Sequence, residues 1–223
     1  RDVLGSRGLG DVYKRQGQDI PVVELVVNDG TSISNELIYG EIHGLKKDED
    51  GSALAGATFG LFTTDGTEPI LTAFSAADGS FSFTGVPYGK YVVREIAAPE
   101  GYVTDDTPYA VKIDADGAVV EIEAVNTRIR GSVQLTKVDR DYPDHYLTGA
   151  EFEVYRDGEL VGTLEELSDG VYRLDGLAYG DYTMKETKAP AGFSLDEQTY
   201  AFSITENGGT VIVENEAGKD FVN

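Results

Sequence analysis

The sequence predicts an all-β chain built as tandem antiparallel β-sandwiches, and three observations carry that prediction. Apolar and polar residues alternate in short runs, such as Thr58-Phe-Gly-Leu-Phe62, Ser80-Phe-Ser-Phe83, Lys90-Tyr-Val-Val93 and Ala110-Val-Lys-Ile113. A period of two marks strands with one buried face. Turn dipeptides, among them Asp78-Gly79, Asp116-Gly117 and Asp169-Gly170, cut these runs at hairpin spacing. The pattern also recurs: Tyr91-Val-Val-Arg-Glu95-Ile-Ala-Ala-Pro99-Glu-Gly101-Tyr102 returns as Tyr182-Thr-Met-Lys-Glu186-Thr-Lys-Ala-Pro190-Ala-Gly192-Phe193, an offset of 91 residues. No window sustains a helical period beyond about two turns.

The offset sets the organisation. Residues 40–130 form one repeat and residues 131–223 a second, each large enough to bury its own core. Leu54-Ala-Gly-Ala-Thr-Phe59 corresponds to Leu147-Thr-Gly-Ala-Glu-Phe152, and Asp78-Gly79 through Tyr88-Gly89 to Asp169-Gly170 through Tyr179-Gly180. Between the repeats, Asn126-Thr-Arg-Ile-Arg-Gly131 runs straight into a strand, with no Pro/Gly/Ser linker. So short a junction predicts end-to-end stacking with limited swivel. Residues 17–39 read as the C-terminal tail of a truncated preceding repeat, because Asn35-Glu-Leu-Ile-Tyr-Gly40 aligns with Asn126–Gly131. An added edge strand on the first repeat is the alternative. Residues 1–16 show no sustained strand or helix period and resemble a non-native, adaptor-derived segment. The chain reads as a fragment of something longer.

Composition narrows the function. Lys and Arg number 18 against 40 Asp and Glu, a net charge of −22 that repels nucleic acid and anionic membrane. Cysteine is absent, which excludes disulfides and thiolate metal sites. No apolar run approaches the length of a membrane span. The two histidines, His43 and His145, stand at non-equivalent positions, and no catalytic triad spacing, phosphate loop or metal cluster is visible. An enzyme with turnover is therefore not expected, nor is a cofactor or a metal.

Strand parity then singles out three polar residues. Side chains alternate faces along a strand, so Val133, Leu135 and Lys137 share one face, as do Ile42, Gly44 and Lys46, with Lys47 turned outward. Tyr91, Val93 and Glu95 share a face, and so do Tyr182, Met184 and Glu186; in the last strand Ile122, Ala124 and Asn126 do. A lysine, a glutamate and an asparagine thus project into an apolar interior. A buried Lys–Glu salt bridge is one reading, though such a pair is often no more stabilising than apolar packing. The other is covalent. Burial lowers a lysine pKa and raises that of a carboxyl, which yields a neutral nucleophilic amine beside a proton carrier. The Asn side-chain amide then offers a carbonyl carbon, and the product is a Lys–Asn isopeptide bond made once.

The lysine starts Lys46-Lys-Asp48 and Lys137-Val-Asp139, the Gly-Ala-x-Phe strand, the E-x-x-A-P-x-G-[YF] box and the closing Val222-Asn223 together resemble Cna B-type (SpaA-like, prealbumin-like) repeat domains of Gram-positive surface adhesins and pilins. The resemblance covers residues 40–223 and implies prealbumin-like or Ig-like sandwiches of an extracellular, cell-wall-associated protein. It implies that Lys46 bonds Asn126 with Glu95 as catalyst, and that Lys137 bonds an asparagine of its own repeat with Glu186 as catalyst. Constant spacing points to Ala217, so the second repeat departs from the pattern, and Asn215 and Asn223 are the candidates. The earlier tail Asn28–Asn35 resembles Asn215–Asn223 and ends on the residue aligned with Asn126, which favours Asn223. The expected function is a structural stalk or pilin-type module whose partners are neighbouring repeats of the same chain. The alternative is an adhesive module that grips a host extracellular matrix protein through pole loops, of which Asp139–His145 is the most irregular.

Overall fold

A computed structural model describes residues 35–214, together with the backbone of four short strands before them and one after. Contacts divide the described chain into two units, Arg1–Pro99 with Thr104–Val125, and Glu100–Val103 with Asn126–Asn223. No helix occurs among the described residues.

At the start, β1 (Val12–Arg15) pairs antiparallel with β2 (Gln18–Pro21), and β3 (Leu25–Val26) with β4 (Ser32–Ile33). The strand β1 lies in the segment whose sequence shows no strand period, because four residues are too few for alternation to register.

The first unit continues with β5 (Tyr39–Asp48), β6 (Thr58–Thr63), β7 (Leu71–Phe74), β8 (Ser80–Pro87), β9 (Gly89–Ala97), β10 (Tyr109–Ile113) and β11 (Ala118–Asn126). They form a four-stranded sheet in the order β10-β9-β6-β7 and a three-stranded sheet β11-β5-β8. Between the sheets lie Ile42, Phe59, Leu61, Phe83, Tyr91, Val93, Val111 and Ile113, each almost fully buried. Burial of each large side chain contributes about 1.5–3 kcal/mol. Gly44 faces this core without a side chain, and the Phe81 ring fills the space: a Cβ there would stand 2.1 Å from the ring. Phe81 stacks on Phe59 with ring centroids 3.8 Å apart.

The second unit repeats the plan with β12 (Arg130–Val138), β13 (Glu151–Arg156), β14 (Glu159–Thr163), β15 (Glu165–Ser168), β16 (Val171–Ala178), β17 (Gly180–Lys188), β18 (Thr199–Ile204), β19 (Thr210–Ile212) and β20 (Phe221–Val222). One sheet runs β14-β13-β17-β18 and the other β15-β16-β12-β19, with β20 also on β12. Its core holds Val133, Leu135, Phe152, Val154, Tyr172, Met184 and Ile204. Hairpin pairs are antiparallel, but β12 takes both β19 and β20 in parallel. This closing of first strand on last sets residues far apart in sequence side by side. The nine-residue β11 is thus replaced by two pieces, since Gln134 pairs with Ile212 whereas Lys137 pairs with Phe221. Three residues on one strand match nine on the other, so residues have been inserted between the pieces. The 91-residue offset carries Asn126 onto Ala217, which falls in sequence between these two pieces.

Two Asp-Gly turns fix the lysine strands. Gly79 (φ 79°) accepts the Lys46 N–H at 2.7 Å, and Gly170 (φ 71°) accepts that of Lys137 at 2.7 Å. A Cβ on Gly79 would lie 2.2 Å from the Lys46 carbonyl oxygen, so both the left-handed backbone and the close approach require glycine.

Candidate functional site

Lys46 on β5 and Glu95 on β9 start from different sheets and meet in the interior of the first unit. Nζ lies 3.2 Å from Glu95 Oε1, an ion-pair distance reached without hydrogen-bond alignment, and neither side chain is exposed to solvent. Lys137 on β12 and Glu186 on β17 repeat the arrangement at 3.4 Å, again with no exposure. The alternation of buried and exposed residues along β5, β9, β12 and β17 is the cause: each charged group sits in phase with core residues. Lys47, one residue out of phase, faces solvent and pairs with Glu123 at 2.6 Å.

Burial pushes the Lys46 amine below its ordinary pKa, against the opposing charges of Glu95 and Asp105. The Lys137 amine is likewise lowered by burial, opposed by Glu186 and Asp196 and assisted by Arg140. Lys46 Nζ also lies 5.7 Å from the centre of the Phe59 ring. The result is an amine drawn toward its neutral, nucleophilic form in each repeat.

Asn126 is the last residue of β11, the strand beside β5, and is 1% exposed. Its Nδ2 donates to Val103 O at 2.8 Å. That carbonyl belongs to Glu100–Val103, which is tied to the following chain by the Val103 N–H on Thr127 O and the Ile129 N–H on Gly101 O. Asn215 and Asn223 lie outside the described residues. The loop at Asp139–His145 closes on itself: the Asp139 N–H donates to His145 O at 3.0 Å and the His145 N–H to Tyr142 O at 2.8 Å.

A further pair of residues in each repeat escaped the sequence reading. The Asp105 N–H donates to Glu95 Oε2 at 2.6 Å, and the Asp196 N–H to Glu186 Oε2 at 2.8 Å. Tyr109 and Tyr200 donate their hydroxyls to Oδ2 of Asp105 and Asp196, each at 2.7 Å. The signal was present as an Asp-x-x-x-Tyr spacing that recurs at the same 91-residue offset.

Two sandwiches, each with a lysine–glutamate pair sealed between its sheets, define the class as tandem prealbumin-like repeats. The chain belongs to the SpaA prealbumin-like fold domain family, which matches it twice, over residues 40–128 and 131–219. This is the family that the motifs led us to expect. Serine-aspartate repeat-containing protein D of Staphylococcus aureus (strain Newman) is 23% identical over 214 residues, covering 86% of this chain and 16% of that protein. Among solved structures, the Bacillus anthracis TIE protein is similar with a TM-score of 0.72 and 28% identity, over 87% of this chain and 40% of that one. A streptococcal ancillary pilin shares 22% identity with a TM-score of 0.42, over 87% of this chain and 70% of that one. The chain thus spans less than half the length of the first two.

Proposed function

We propose that this chain is a load-bearing stalk segment of an extracellular, cell-wall-associated protein of a Gram-positive bacterium, and that each repeat crosslinks itself. The observation that carries the reading is the fully buried lysine–glutamate pair, present twice at 3.2 and 3.4 Å. Burying two charges is costly, and apolar residues would fill the same space at least as stably. A reaction that consumes the amine removes that cost.

The chemistry is a transamidation. The Lys46 amine adds to Cγ of Asn126; Glu95 takes a proton from Nζ and delivers it to the departing amide nitrogen. One C–N bond forms, one breaks, and ammonia leaves. Lys137 and Glu186 act alike on an asparagine of the second repeat. Strand register supports Asn223 as that residue. Ser132 pairs with Thr210, and shifting this by the repeat offset sets Lys46 opposite Ala124, two residues short of Asn126. Lys137 pairs with Phe221, two residues short of Asn223. The chain reacts once with itself and has no turnover, so it is not an enzyme in the ordinary sense.

A crosslink joining the first strand of a repeat to its last routes tension past the strands between, which suits a stalk that contains no cysteine. Its working partners are neighbouring repeats of the same chain. Protease digestion of the full chain followed by peptide mass mapping tests the proposal. It should return a branched peptide joining Lys46 to Asn126, lighter by one ammonia than its two parts. Recovery of both residues only in linear, unmodified peptides would overturn it.

A further inference from the structure

The geometry points to Asp105 with Tyr109, and Asp196 with Tyr200, as positioning residues that hold the reacting carboxyl by one oxygen and present the other to the amine. This inference rests on the crosslinking function proposed above. In both repeats Glu Oε2 receives the aspartate backbone N–H, at 2.6 and 2.8 Å, while Oε1 is the oxygen nearest the lysine, at 3.2 and 3.4 Å. The aspartate is itself fixed on both sides. Its Oδ1 accepts the N–H two residues on, from Thr107 at 3.0 Å or Gln198 at 2.9 Å, and its Oδ2 accepts the tyrosine hydroxyl. The residues between differ completely, Asp106-Thr-Pro108 against Glu197-Gln-Thr199, yet the hydrogen bonds are the same.

The arrangement has a chemical consequence. An N–H donor occupies Oε2, so a proton carried by the carboxyl sits on Oε1, the oxygen that faces the amine. A glutamate side chain has several rotatable bonds, and fixing one oxygen removes most of that freedom before the reaction begins. Tyr109 remains a donor, because burial and the Asp105 carboxylate both push its hydroxyl pKa up. Asp105 also faces Lys46 together with Glu95, and its charge favours the protonated amine. Position and charge can therefore be separated by substitution.

The full chain is recovered unfolded in denaturant, refolded, and quenched in acid at intervals, and crosslinks in each repeat are counted by peptide mass. The unaltered second repeat serves as the clock. Asp105→Ala and Tyr109→Phe should slow crosslinking of the first repeat roughly tenfold or more relative to the second. Asp105→Asn keeps the Oδ1 acceptor for the Thr107 N–H and offers the Tyr109 hydroxyl an amide donor in place of Oδ2, so it should restore most of the rate. It should also move the rate–pH profile of the first repeat to lower pH, a change that a purely structural role would not produce. A first-to-second rate ratio in Tyr109→Phe unchanged from that of the unaltered chain, or an Asp105→Asn chain as slow as Asp105→Ala with no shift in pH profile, would overturn the inference. Were Asp105→Ala to prevent folding of the first repeat, as read by hydrogen exchange, Tyr109→Phe and Asp105→Asn still decide. Absence of crosslinks from both repeats of the unaltered chain would instead sink the crosslinking function itself.

Discussion

Replacing Asn126 with alanine removes the carbonyl proposed to react while leaving the Lys46–Glu95 pair intact, which makes it a cleaner perturbation than loss of either charge. The loop closed by a Lys46–Asn126 bond contains about 80 residues, and restricting the unfolded chain by a loop of that size contributes about 4.5 kcal/mol. For a repeat of this size that loss lowers the thermal midpoint on the order of 20–35 °C. On the proposed chemistry the residual buried amine adds to the loss, because crosslinking converts it to an amide in the unaltered repeat. Scanning calorimetry of the full chain should show the first repeat melting far earlier than before, while the transition of the second holds its place. A midpoint for Asn126→Ala within a few degrees of the parent would refute the reasoning.

Other outcomes follow from the same geometry. Gly79→Ala puts a Cβ 2.2 Å from the Lys46 carbonyl at φ 79°, so chemical denaturation should show a loss of about 1–3 kcal/mol confined to the first repeat. Lys47→Ala removes only a half-exposed pair with Glu123; less than about 1 kcal/mol should be lost, with crosslinking intact by intact mass. Asn223→Ala should abolish the crosslink of the second repeat by peptide mapping, whereas Asn215→Ala should leave it. In Asn126→Ala the Lys46 amine persists with a folded pKa below its ordinary 10.5. The unfolded chain then binds more protons between those two values, so the first repeat should gain stability as pH rises toward 10.5, an increment missing from the crosslinked parent. Denaturant midpoints across that range, compared between the two proteins, read the difference.

Much of this site was legible because a strand has a period of two. Lys46, Glu95, Lys137 and Glu186 each stand in phase with apolar neighbours, and parity alone puts them inside; the same rule turns Lys47 and His43 outward, as the structure finds. The split of the last strand into β19 and β20 announced itself as an offset that landed on Ala217. The parallel pairing of β12 with its closing strands was not legible, since alternation says which face is buried and nothing about direction. The Asp105–Tyr109 and Asp196–Tyr200 supports were hidden for another reason. Their contact with the glutamate runs through a backbone N–H in a loop, and a backbone donor carries no residue-type signature. Only the repeated spacing betrays them. The strand at Val12–Arg15 was too short for its pattern to stand out.

The central claim is that each repeat has bonded its own lysine to its own asparagine. The intact mass of the full, natively folded chain tests it most directly. The account predicts a mass two ammonia molecules below that of the sequence, restored by one ammonia in Glu95→Gln and by both when Glu186→Gln is added. A parent chain at the full sequence mass would contradict it.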